Sequence, residues 1–544
     1  MKRLILILPL ILGVAMVSMA HDDEPIPTST PVPLQDTTLT YYQDIQPIFN
    51  ENCMACHVEG QIGASLLNME IIEDVVEQGD SIAYLVQEGL MPPWSPGGAT
   101  PPLQHERLLT QPEIVAIVEW VQGGMPLGDP AHAQPYQPPT EAFIRPDLIA
   151  QMPVPYTPDD SLSDDYRCFL IDPEIDEETY IQGFNVEPGE PKVVHHVLIF
   201  QISADMYTAA VLQDAEDDRP GWECFGGTNL DAGSSNQRVQ QLLIPIVTQA
   251  GGLNSLITML ETEEGRTEIQ TIIDASPDAA EINQIINAAG GLAGLAERPL
   301  QASSRGQAGD LSGVVGAWAP GTMGILHPEG TGTRVEAGNL FVMQVHYNLY
   351  AGALPDQTSV ILQLADPAED TTALELFPMM APVEIPCPVG VDSPDCTRTS
   401  AIINAENPNT SQGLLMVCDR NPAEYSNQDP THVISDCEYR APMDGEIIHV
   451  MSHMHELGES ALIELNPDTP EAQVLLEIPE WDFHWQSQYQ LQTPIPVSAG
   501  DTIRVTCVWD ASLRDENYAP RYVVWGERTQ DEMCLHWVVI KPNE

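Results

Sequence analysis

The stretch 447–458 reads IIHVMSHMHELG and holds three histidines, although the whole chain of 544 residues has only 14. Residues two apart on a β-strand point to the same side, so His449, Met451, His453 and His455 are predicted to share one face. His453 and His455 would then lie roughly 7 Å apart along the strand, close enough to bind one metal ion. Two imidazoles with a thioether are soft ligands that favour copper, whereas zinc usually takes a thiolate or carboxylate as well. We expect His449 to lie in the core or behind the ligands.

Two further histidine motifs lie upstream in apolar runs. His195 and His196 are adjacent within KVVHHVLIF, and His346 comes near the end of NLFVMQVHYN. Neighbouring residues on a regular strand face opposite sides, so His195 and His196 can bind one metal only at a bulge or at a strand end. A single histidine on a strand is more often a hydrogen-bonded core residue. Three such motifs in one chain nevertheless favour metal binding.

The pentapeptide CMACH, residues 53–57, has the C-x-x-C-H form that attaches a c-type haem. The thiols of Cys53 and Cys56 would form thioethers to the porphyrin, and the His57 imidazole would bind the iron. Met91, in the loop GLMPPWSPGG, is the predicted sixth ligand, because a thioether raises the haem potential and suits an electron carrier. The alternative is that Met91 is a core residue.

The haem motif lies in a segment with helical periodicity, residues 41–130. YYQDIQPIFNENC carries apolar residues at helical spacing, and LTQPEIVAIVEWVQGG has Pro near its start and Gly-Gly at its end, as amphipathic helices do. The segment is similar to small class I cytochromes c, including a late helix with an aromatic residue, Trp120. It follows a predicted secretory signal, residues 1–20, and an acidic Pro/Thr-rich linker, residues 21–40. A second Pro-rich linker is predicted at 131–158.

From residue 159 the sequence changes to short alternating apolar runs separated by turn residues, which is typical of antiparallel β-sandwiches. We predict two jelly-roll-like sandwich domains, residues 159–372 and 373–544. The expected fold class is therefore multidomain, with a small all-α domain followed by two antiparallel β-sandwiches. A helical insertion is predicted at about 236–300, where TQAGGLNSL is echoed by NAAGGLAGL. This insertion is either a lid or a packing appendage without a role in the chemistry.

Charge and cysteine content limit the partners and the compartment. The chain has 80 acidic and 20 basic residues, and its net charge of −60 would repel nucleic acid and anionic membranes. No stretch after the signal approaches the ~18 apolar residues of a membrane span. Eight cysteines remain outside the haem motif, and an even number in an exported chain predicts disulfides, whose connectivity the spacing leaves open. We expect an exported protein, periplasmic or extracellular.

Four short motifs, in this order, resemble those of the copper type II ascorbate-dependent monooxygenases, the family that includes peptidylglycine α-hydroxylating and dopamine β-monooxygenases. They are VVHHVLIF, MQVHYN, MSHMHELG and TQDEMCLHWV, and the resemblance covers about residues 156–544. It implies two copper ions, one that transfers electrons and one that binds oxygen. The implied ligands are His195, His196 and His346 for the first copper, and His453, His455 and Met533 for the second. It also implies a disulfide between Cys507 and Cys534, which would fix the methionine loop.

The chain departs from this family at three positions that bear on the substrate. The peptide-specific members carry an Arg two residues before H-x-H, where this chain has Met451. They carry Asn and Tyr after the methionine ligand, where this chain has Leu535 and Trp537. Arg is suited to bidentate binding of a carboxylate, so its absence argues against a glycine-extended peptide. The apolar replacements favour a neutral or aromatic substrate.

The resemblance implies an oxidoreductase that hydroxylates a C–H bond of a small organic substrate with O2. The fused haem predicts an electron relay to the coppers, fed by an external electron donor. The alternative is a periplasmic electron-transfer or copper-binding protein on the same scaffold, without hydroxylase activity. A third hypothesis, a haem-bearing adhesin with structural histidines, predicts that no copper binds tightly.

Overall fold

The computed structural model describes most of the chain from residue 38 onward. The signal predicted at 1–20, most of the linker 21–40 and part of the insertion 236–300 lie outside the described residues. The described residues are 38–59, 61–137, 144–162, 164–224, 227–230, 246, 249–250, 255–256, 259–260, 262–288, 291–292, 313–319, 322, 324–349, 352–391, 393–405, 408–515 and 518–543.

The described residues before 138 form helices around one apolar core, and we term residues 38–137 the helical unit. Its central side chains are at most 4% exposed: Tyr41, Ile45, Phe49, Ile117 and Trp120. Its elements are a π-helical turn (Tyr41–Ile45), α1 (Gln46–Asn52), a 3-10 turn (Ile62–Ser65), α2 (Ile72–Glu77), α3 (Gly79–Gln87), α4 (Gln111–Gln122) and a second 3-10 turn (Pro130–His132).

The amphipathic helix predicted from LTQPEIVAIVEWVQGG is α4. The Glu113 carboxylate accepts the Thr110 N–H at 2.7 Å, which closes a capping box at the first turn. The helix ends at Gly123, and its buried face places Trp120 in the core. The ring of Trp120 meets that of Phe49 edge-on with centroids 6.3 Å apart, so the two ends of the helical unit pack together.

The first sandwich packs two sheets face to face. Buried side chains at most 2% exposed fill the space between them: Ile181, Phe184, Val197, Phe341 and Tyr347. One sheet has the order β1-β10-β3-β8-β11, with β7 also paired to β3, and the other has the order β5-β2-β9-β4-β6. The strands are β1 (Leu148–Gln151), β2 (Asp164–Ile171), β3 (Thr179–Glu187), β4 (Val194–Ile202), β5 (Trp222–Glu223), β6 (Val314–Trp318), β7 (Ile325–Leu326), β8 (Thr331–Val335), β9 (Leu340–Asn348), β10 (Ser359–Leu364) and β11 (Thr372–Ala373).

The second sandwich packs two four-stranded sheets, with orders β12-β21-β15-β18 and β14-β19-β16-β17. A short pair, β13-β20, lies beside them. The core includes fully buried Val450, Ile463, Val505 and Trp509. The strands are β12 (Glu375–Met380), β13 (Glu384–Ile385), β14 (Val433–Arg440), β15 (Gly445–His453), β16 (Gly458–Leu465), β17 (Gln473–Ile478), β18 (Gln488–Val497), β19 (Thr502–Trp509), β20 (Val523–Val524) and β21 (Leu535–Pro542).

Among the described residues, six further α-helices lie outside the helical unit. Two of them fall in the predicted insertion and pack through Ile269, Ile273 and Ile282. Three others lie between β13 and β14, a region where the sequence predicted no helix. The helices are α5 (Tyr207–Glu216), α6 (Glu263–Asp274), α7 (Ala279–Ala288), α8 (Arg398–Asn404), α9 (Pro408–Val417) and α10 (Pro422–Tyr425). No described helix combines the length and the apolar content needed to cross a membrane.

The linker predicted at 131–158 is wrong in its second half. Residues Leu148–Gln151 form β1, which pairs antiparallel with β10 at the edge of the first sandwich. Prolines 146 and 153 flank this strand, and proline is compatible with a sheet edge although it reads as linker in a sequence. Met152 and Tyr156 are also buried, at 1% and 2% exposed, so the first sandwich begins ahead of residue 159.

The two sandwiches meet through an apolar contact. Leu374, Ile448, Met451 and Trp537 are buried together there, and Ala317 of β6 packs against them. At the same interface, the Nδ1 atom of His327 lies 3.0 Å from the Nε2 atom of His449. His449 is therefore a buried core residue, one of the two positions expected from its spacing.

The eight cysteines outside the haem motif form four disulfides, as predicted. The pairs are Cys168–Cys224, Cys387–Cys396, Cys418–Cys437 and Cys507–Cys534. The last pair is the one that the family resemblance implies. Cys53 and Cys56 carry free thiols.

Candidate metal centres

The first cluster consists of His195, His196 and His346, which the structure brings together at the end of the β4–β9 pair. The register shifts between Val194 and His196, so the strand start contains the irregularity that two adjacent ligands require. Nitrogen atoms of all three imidazoles lie within 4.8 Å of one another. The ring centroids of His196 and His346 are 4.5 Å apart. This geometry is suited to three nitrogen ligands around one ion.

Burial makes the first cluster electrostatically unusual. Within the described part of the chain, both ring nitrogens of His195 and Nδ1 of His346 are buried without a hydrogen-bond partner. Buried polar atoms without partners are costly, so such a group of them favours a metal ion as the missing partner. Burial lowers the pKa of His195 and of His196 well below the ordinary value, which keeps both imidazoles neutral and able to bind a metal.

A carboxylate orients the third imidazole of the first cluster. His346 donates its Nε2 hydrogen to Asp164 Oδ1 at 2.9 Å, which leaves Nδ1 for the metal. The ring of Tyr166 stacks on that of His346, with centroids 4.1 Å apart and planes 9° from parallel. Asp164 and Tyr166 lie two residues apart on β2, so one strand fixes both the tautomer and the plane of His346.

The second sandwich reaches the same two β2 residues. Thr529 donates its hydroxyl to Asp164 Oδ1 at 2.5 Å, and Tyr166 donates its hydroxyl to the Glu527 carbonyl at 2.6 Å. Residues 526–533 form the segment that leads to Met533, and we term it the methionine loop. The supports of the first cluster therefore also hold the methionine loop.

Asp164→Ala should weaken metal binding at the first cluster. The change removes the acceptor that orients His346, and loss of such a partner typically costs about 10–100-fold in metal affinity. Copper titration of the apoprotein, with isothermal calorimetry, measures the effect. Asp160→Ala, an exposed carboxylate just ahead of β2, is the control and should leave the titration unchanged. Equal affinities in the wild type and Asp164→Ala would contradict this role.

The second cluster consists of His453, His455 and Met533. His453 is the last residue of β15, and His455 lies two residues beyond the strand end, so the prediction of one regular strand through both histidines is wrong. The chain turns there because Glu532 accepts the backbone N–H groups of His455 and Leu457. The imidazoles still converge, with ring centroids 5.1 Å apart.

On both histidines of the second cluster, the hydrogen bonds are made through Nδ1 and not through Nε2. His453 donates its Nδ1 hydrogen to Gln486 Oε1, and His455 donates its Nδ1 hydrogen to the Asp531 carbonyl at 3.2 Å. The Nε2 atoms are therefore the available ligands on both rings. Partners on the far nitrogen are typical of metal-binding histidines.

Glu532 positions Met533 relative to His455. Its carboxylate is fully buried and accepts four N–H groups, from the backbones of His455, Leu457 and Met533 and from the Trp509 indole. Burial raises the pKa of Glu532 to about 8, although the donated hydrogen bonds act in the opposite direction. One side chain thus joins the segment after β15 to the methionine loop. The sequence analysis missed Glu532, although a carboxyl group beside a proposed ligand was a signal.

One cavity between the sandwiches is lined by members of both clusters. His196, His453, His455 and Met533 all line it, and the ring centroids of His196 and His453 are only 5.9 Å apart. Much of the remaining wall is apolar: Trp318, Met380, Met451, Leu535 and Trp537. None of the described lining residues is Lys or Arg. The three positions at which the chain departs from the peptide-specific family members all lie on this wall.

Metal retention in acid should reflect the burial of the second cluster. Burial lowers the pKa of His453 to about 4 and that of His455 well below its ordinary value, so both stay neutral where exposed histidines, with a pKa of about 6.5, protonate. Between pH 6.5 and pH 4, these two histidines of the apoprotein bind fewer protons in the folded state than in the unfolded state. Their contribution to the free energy of unfolding is therefore fully present above pH 6.5 and is lost as the pH falls towards 4.

Thermal melts of apo and copper-loaded protein between pH 7 and pH 4.5 measure this effect, with bound copper assayed in parallel. The apoprotein melting temperature should fall continuously with pH, while copper stays bound below pH 6. Release of copper with a midpoint near 6.5 would mean that the imidazoles are not protected by burial.

A third grouping of ligand-type atoms is chemically unsuited to a metal ion. Cys507, Cys534 and His536 lie close enough for a common ion, but the two sulfurs are joined in a disulfide and have no thiolate to offer. His536 instead bonds through Nδ1 to the Ser452 hydroxyl at 2.8 Å. This grouping supports the base of the methionine loop.

The haem motif has a donor set that fits a covalently bound porphyrin. Cys53 and Cys56 are free thiols in a chain whose other described cysteines are oxidised, and His57 donates its Nδ1 hydrogen to the Leu67 carbonyl at 2.9 Å. Nε2 of His57 is therefore the nitrogen that could bind a haem iron. A Cβ on Gly63 would lie only 2.9 Å from the His57 ring. Glycine, which has no side chain, therefore leaves room for that ring beside the backbone. Met91 is half-buried in the loop after α3, and its role as sixth ligand remains a prediction.

Comparison with known proteins finds similarity in the second sandwich. Residues 420–542 match the family model described as copper type II ascorbate-dependent monooxygenase, C-terminal domain. This span includes His453, His455 and Met533 and excludes the first cluster and the helical unit. No curated protein matches the chain. The match supports copper-dependent monooxygenase chemistry in general.

Proposed function

We propose that the protein is a copper-dependent monooxygenase that hydroxylates a C–H bond of a small organic substrate. The observation that carries this proposal is the common cavity. His196 of the first cluster lines it together with His453, His455 and Met533 of the second. A storage or carrier protein has no need of an apolar cavity between its metal sites.

The reaction requires two electrons, because R–H, O2, two electrons and two protons give R–OH and water. When bound, each copper supplies one electron by passing from Cu(I) to Cu(II), and the thioether of Met533 favours Cu(I) at the site that meets O2. In this proposal His195, His196 and His346 hold the storage copper. His453 and His455 bind through Nε2, while Gln486 and the Asp531 carbonyl fix their rings.

The cavity wall supports a neutral, predominantly apolar substrate. Met451, Leu535 and Trp537 form an apolar surface beside the second cluster. The Gln488 amide oxygen accepts the Trp537 indole N–H at 3.0 Å. Besides the histidines, the polar lining residues are Tyr166, Thr322, Gln344, Gln486, Ser487, Gln488 and Glu527. A substrate carboxylate would find no described Lys or Arg partner in this wall, and a buried, unpaired charge is costly.

The helical unit would carry the haem through Cys53, Cys56 and His57, with Met91 as the sixth ligand. Bound haem c supplies one-electron transfer. An external donor would refill it, and the haem would replace ascorbate as the direct reductant of the coppers. The four disulfides are consistent with export to an oxidising compartment, periplasmic or extracellular.

Oxygen consumption separates this proposal from its alternative, an electron-transfer or copper-binding protein on the same scaffold. Consumption in the presence of a reductant should require both copper and an added neutral organic compound, and the product should carry one oxygen atom from 18O2. A panel of small aromatic and aliphatic compounds serves as substrates, with carboxylate analogues as matched controls. Oxygen uptake that no compound stimulates would favour the alternative.

Anaerobic stopped-flow spectroscopy tests the haem relay independently. Pre-reduced haem should oxidise when the copper sites hold Cu(II), and should stay reduced in the copper-free protein. A haem that never responds to copper would remove the relay while leaving the monooxygenase proposal intact.

A further inference from the structure

The helical unit is seated on the second sandwich, next to the second cluster. Its contact segment is the stretch 91–107, between α3 and α4. Gly97 donates its backbone N–H to the Glu477 carbonyl at 2.9 Å, and Gln104 donates to the Gln490 carbonyl at 2.8 Å. The Ala99 N–H also reaches the Glu477 carboxylate at 2.6 Å. These bonds place the segment that follows the haem motif against β17 and β18.

Two ring contacts reinforce this docking. Trp94 meets Tyr489 edge-on, with centroids 5.4 Å apart, and the Arg107 guanidinium lies 5.4 Å from the ring centroid of Trp485. A guanidinium over an indole is a favourable cation–π contact. Both Arg107 and Trp485 are half-buried, so the contact is partly shielded from water.

Arg107 belongs to the contact segment between α3 and α4 of the helical unit, and this unit also holds the predicted porphyrin attachment points Cys53 and Cys56. Its guanidinium therefore joins the helical unit to the aromatic surface of the second sandwich.

From Trp485 a short bonded path leads to a ligand of the second cluster. Trp485 is joined through one peptide bond to Gln486, and Gln486 Oε1 accepts the Nδ1 hydrogen of His453. The Gln486 amide donates to the Phe483 carbonyl at 2.8 Å, which holds its orientation. Electron tunnelling decays less steeply through covalent and hydrogen bonds than across gaps, so this path is well coupled.

We propose that Arg107 and Trp485 form the electron bridge from the helical unit, and that the copper of the second cluster is its first acceptor. In this step ferrous haem loses one electron and becomes ferric, and one Cu(II) at His453 becomes Cu(I); no bond or proton is exchanged. The first cluster is then filled across the cavity, where the His196 and His453 rings are 5.9 Å apart. The inference rests on the proposed haem and deepens the proposed relay.

The test follows haem oxidation in the full chain, anaerobically, after reduction of the haem in protein loaded with Cu(II). In the wild type a rapid phase should oxidise the haem. Trp485→Leu and Arg107→Gln should each lose that phase while keeping the haem spectrum, the haem midpoint potential and the copper content. Glu477→Ala is the matched control, because it removes a docking contact that lies away from the bridge, and it should retain the rapid phase.

A second arm identifies the first acceptor. His453→Ala combined with His455→Ala, which empties the second cluster, should abolish the rapid phase, whereas His346→Ala should retain it. The opposite pattern overturns the inference, and so does a rapid phase that persists in Trp485→Leu or disappears in Glu477→Ala. Absence of any haem oxidation in the wild type refutes the relay itself, so the two failures are distinguishable.

Discussion

Met533→Ile should abolish hydroxylation while the first cluster keeps its copper. Isoleucine fills nearly the same volume as methionine at a site only 6% exposed, so packing should be disturbed by less than about 1.5 kcal/mol. The change removes the sulfur that completes the second cluster. Loss of a residue that only supports a metal ligand already costs about 10–100-fold in activity or metal affinity. Loss of the ligand itself should therefore lower the hydroxylation rate by more than about 100-fold.

Activity with 18O2 and copper content per chain measure the effect of Met533→Ile. The first cluster should still bind its copper, since its three imidazoles come from the other sandwich. Met206→Ile, a half-buried methionine of the first sandwich away from both clusters, is the volume-matched control and should be fully active. Retained hydroxylation by Met533→Ile would exclude Met533 as a ligand.

Removal of the disulfide Cys507–Cys534 should have the next largest effect. It closes a segment with a sequence separation of 27, and chain entropy predicts a loss of about 3–4 kcal/mol in the free energy of unfolding. Alanine is the suitable replacement because the site is buried and a serine hydroxyl would need a partner. Since Cys534 directly follows Met533, the double variant Cys507→Ala, Cys534→Ala should also bind copper more weakly at the second cluster.

Urea unfolding gives the stability of this variant, and copper titration gives the affinity. Cys387→Ala with Cys396→Ala is the matched control, because that disulfide spans a sequence separation of only 9. The control should lose less stability and no copper affinity. Equal effects of the two double variants on copper binding would show that Cys507–Cys534 has no special role at the methionine loop.

The elements that carry the proposed ligands were predictable because each ligand pattern is local. The alternation in VVHHVLIF and NLFVMQVHYN predicts β4 and β9, and the adjacency of His195 and His196 predicts the irregularity observed at the start of β4. The prediction failed at His455, because alternation says nothing about where a strand ends. There the strand is ended by Glu532, which is 77 residues away in sequence from the His455 N–H that it accepts.

The residues behind the ligands were not predictable for a similar reason. Asp164, Gln486 and Glu532 act through tertiary contacts, and the composition around them resembles that of many surface segments of an acidic chain. The docking of the helical unit on β17 and β18 likewise depends on backbone pairing between segments almost 400 residues apart. No local periodicity encodes such a contact. The helices α8–α10 were missed because they are short and are stabilised by the surrounding sandwich and two disulfides.

The shared carboxylate of Asp164 has a consequence for how the metals load. It accepts hydrogen bonds from a histidine of one cluster and from Thr529 in the loop that carries the sulfur of the other. A metal ion bound at either cluster would act on the same carboxylate. By thermodynamic reciprocity, if one ion strengthens binding of the other by a given free energy, the second ion strengthens binding of the first by the same amount. Asp164 is accordingly the route by which binding of one proposed ion would alter the affinity for the other.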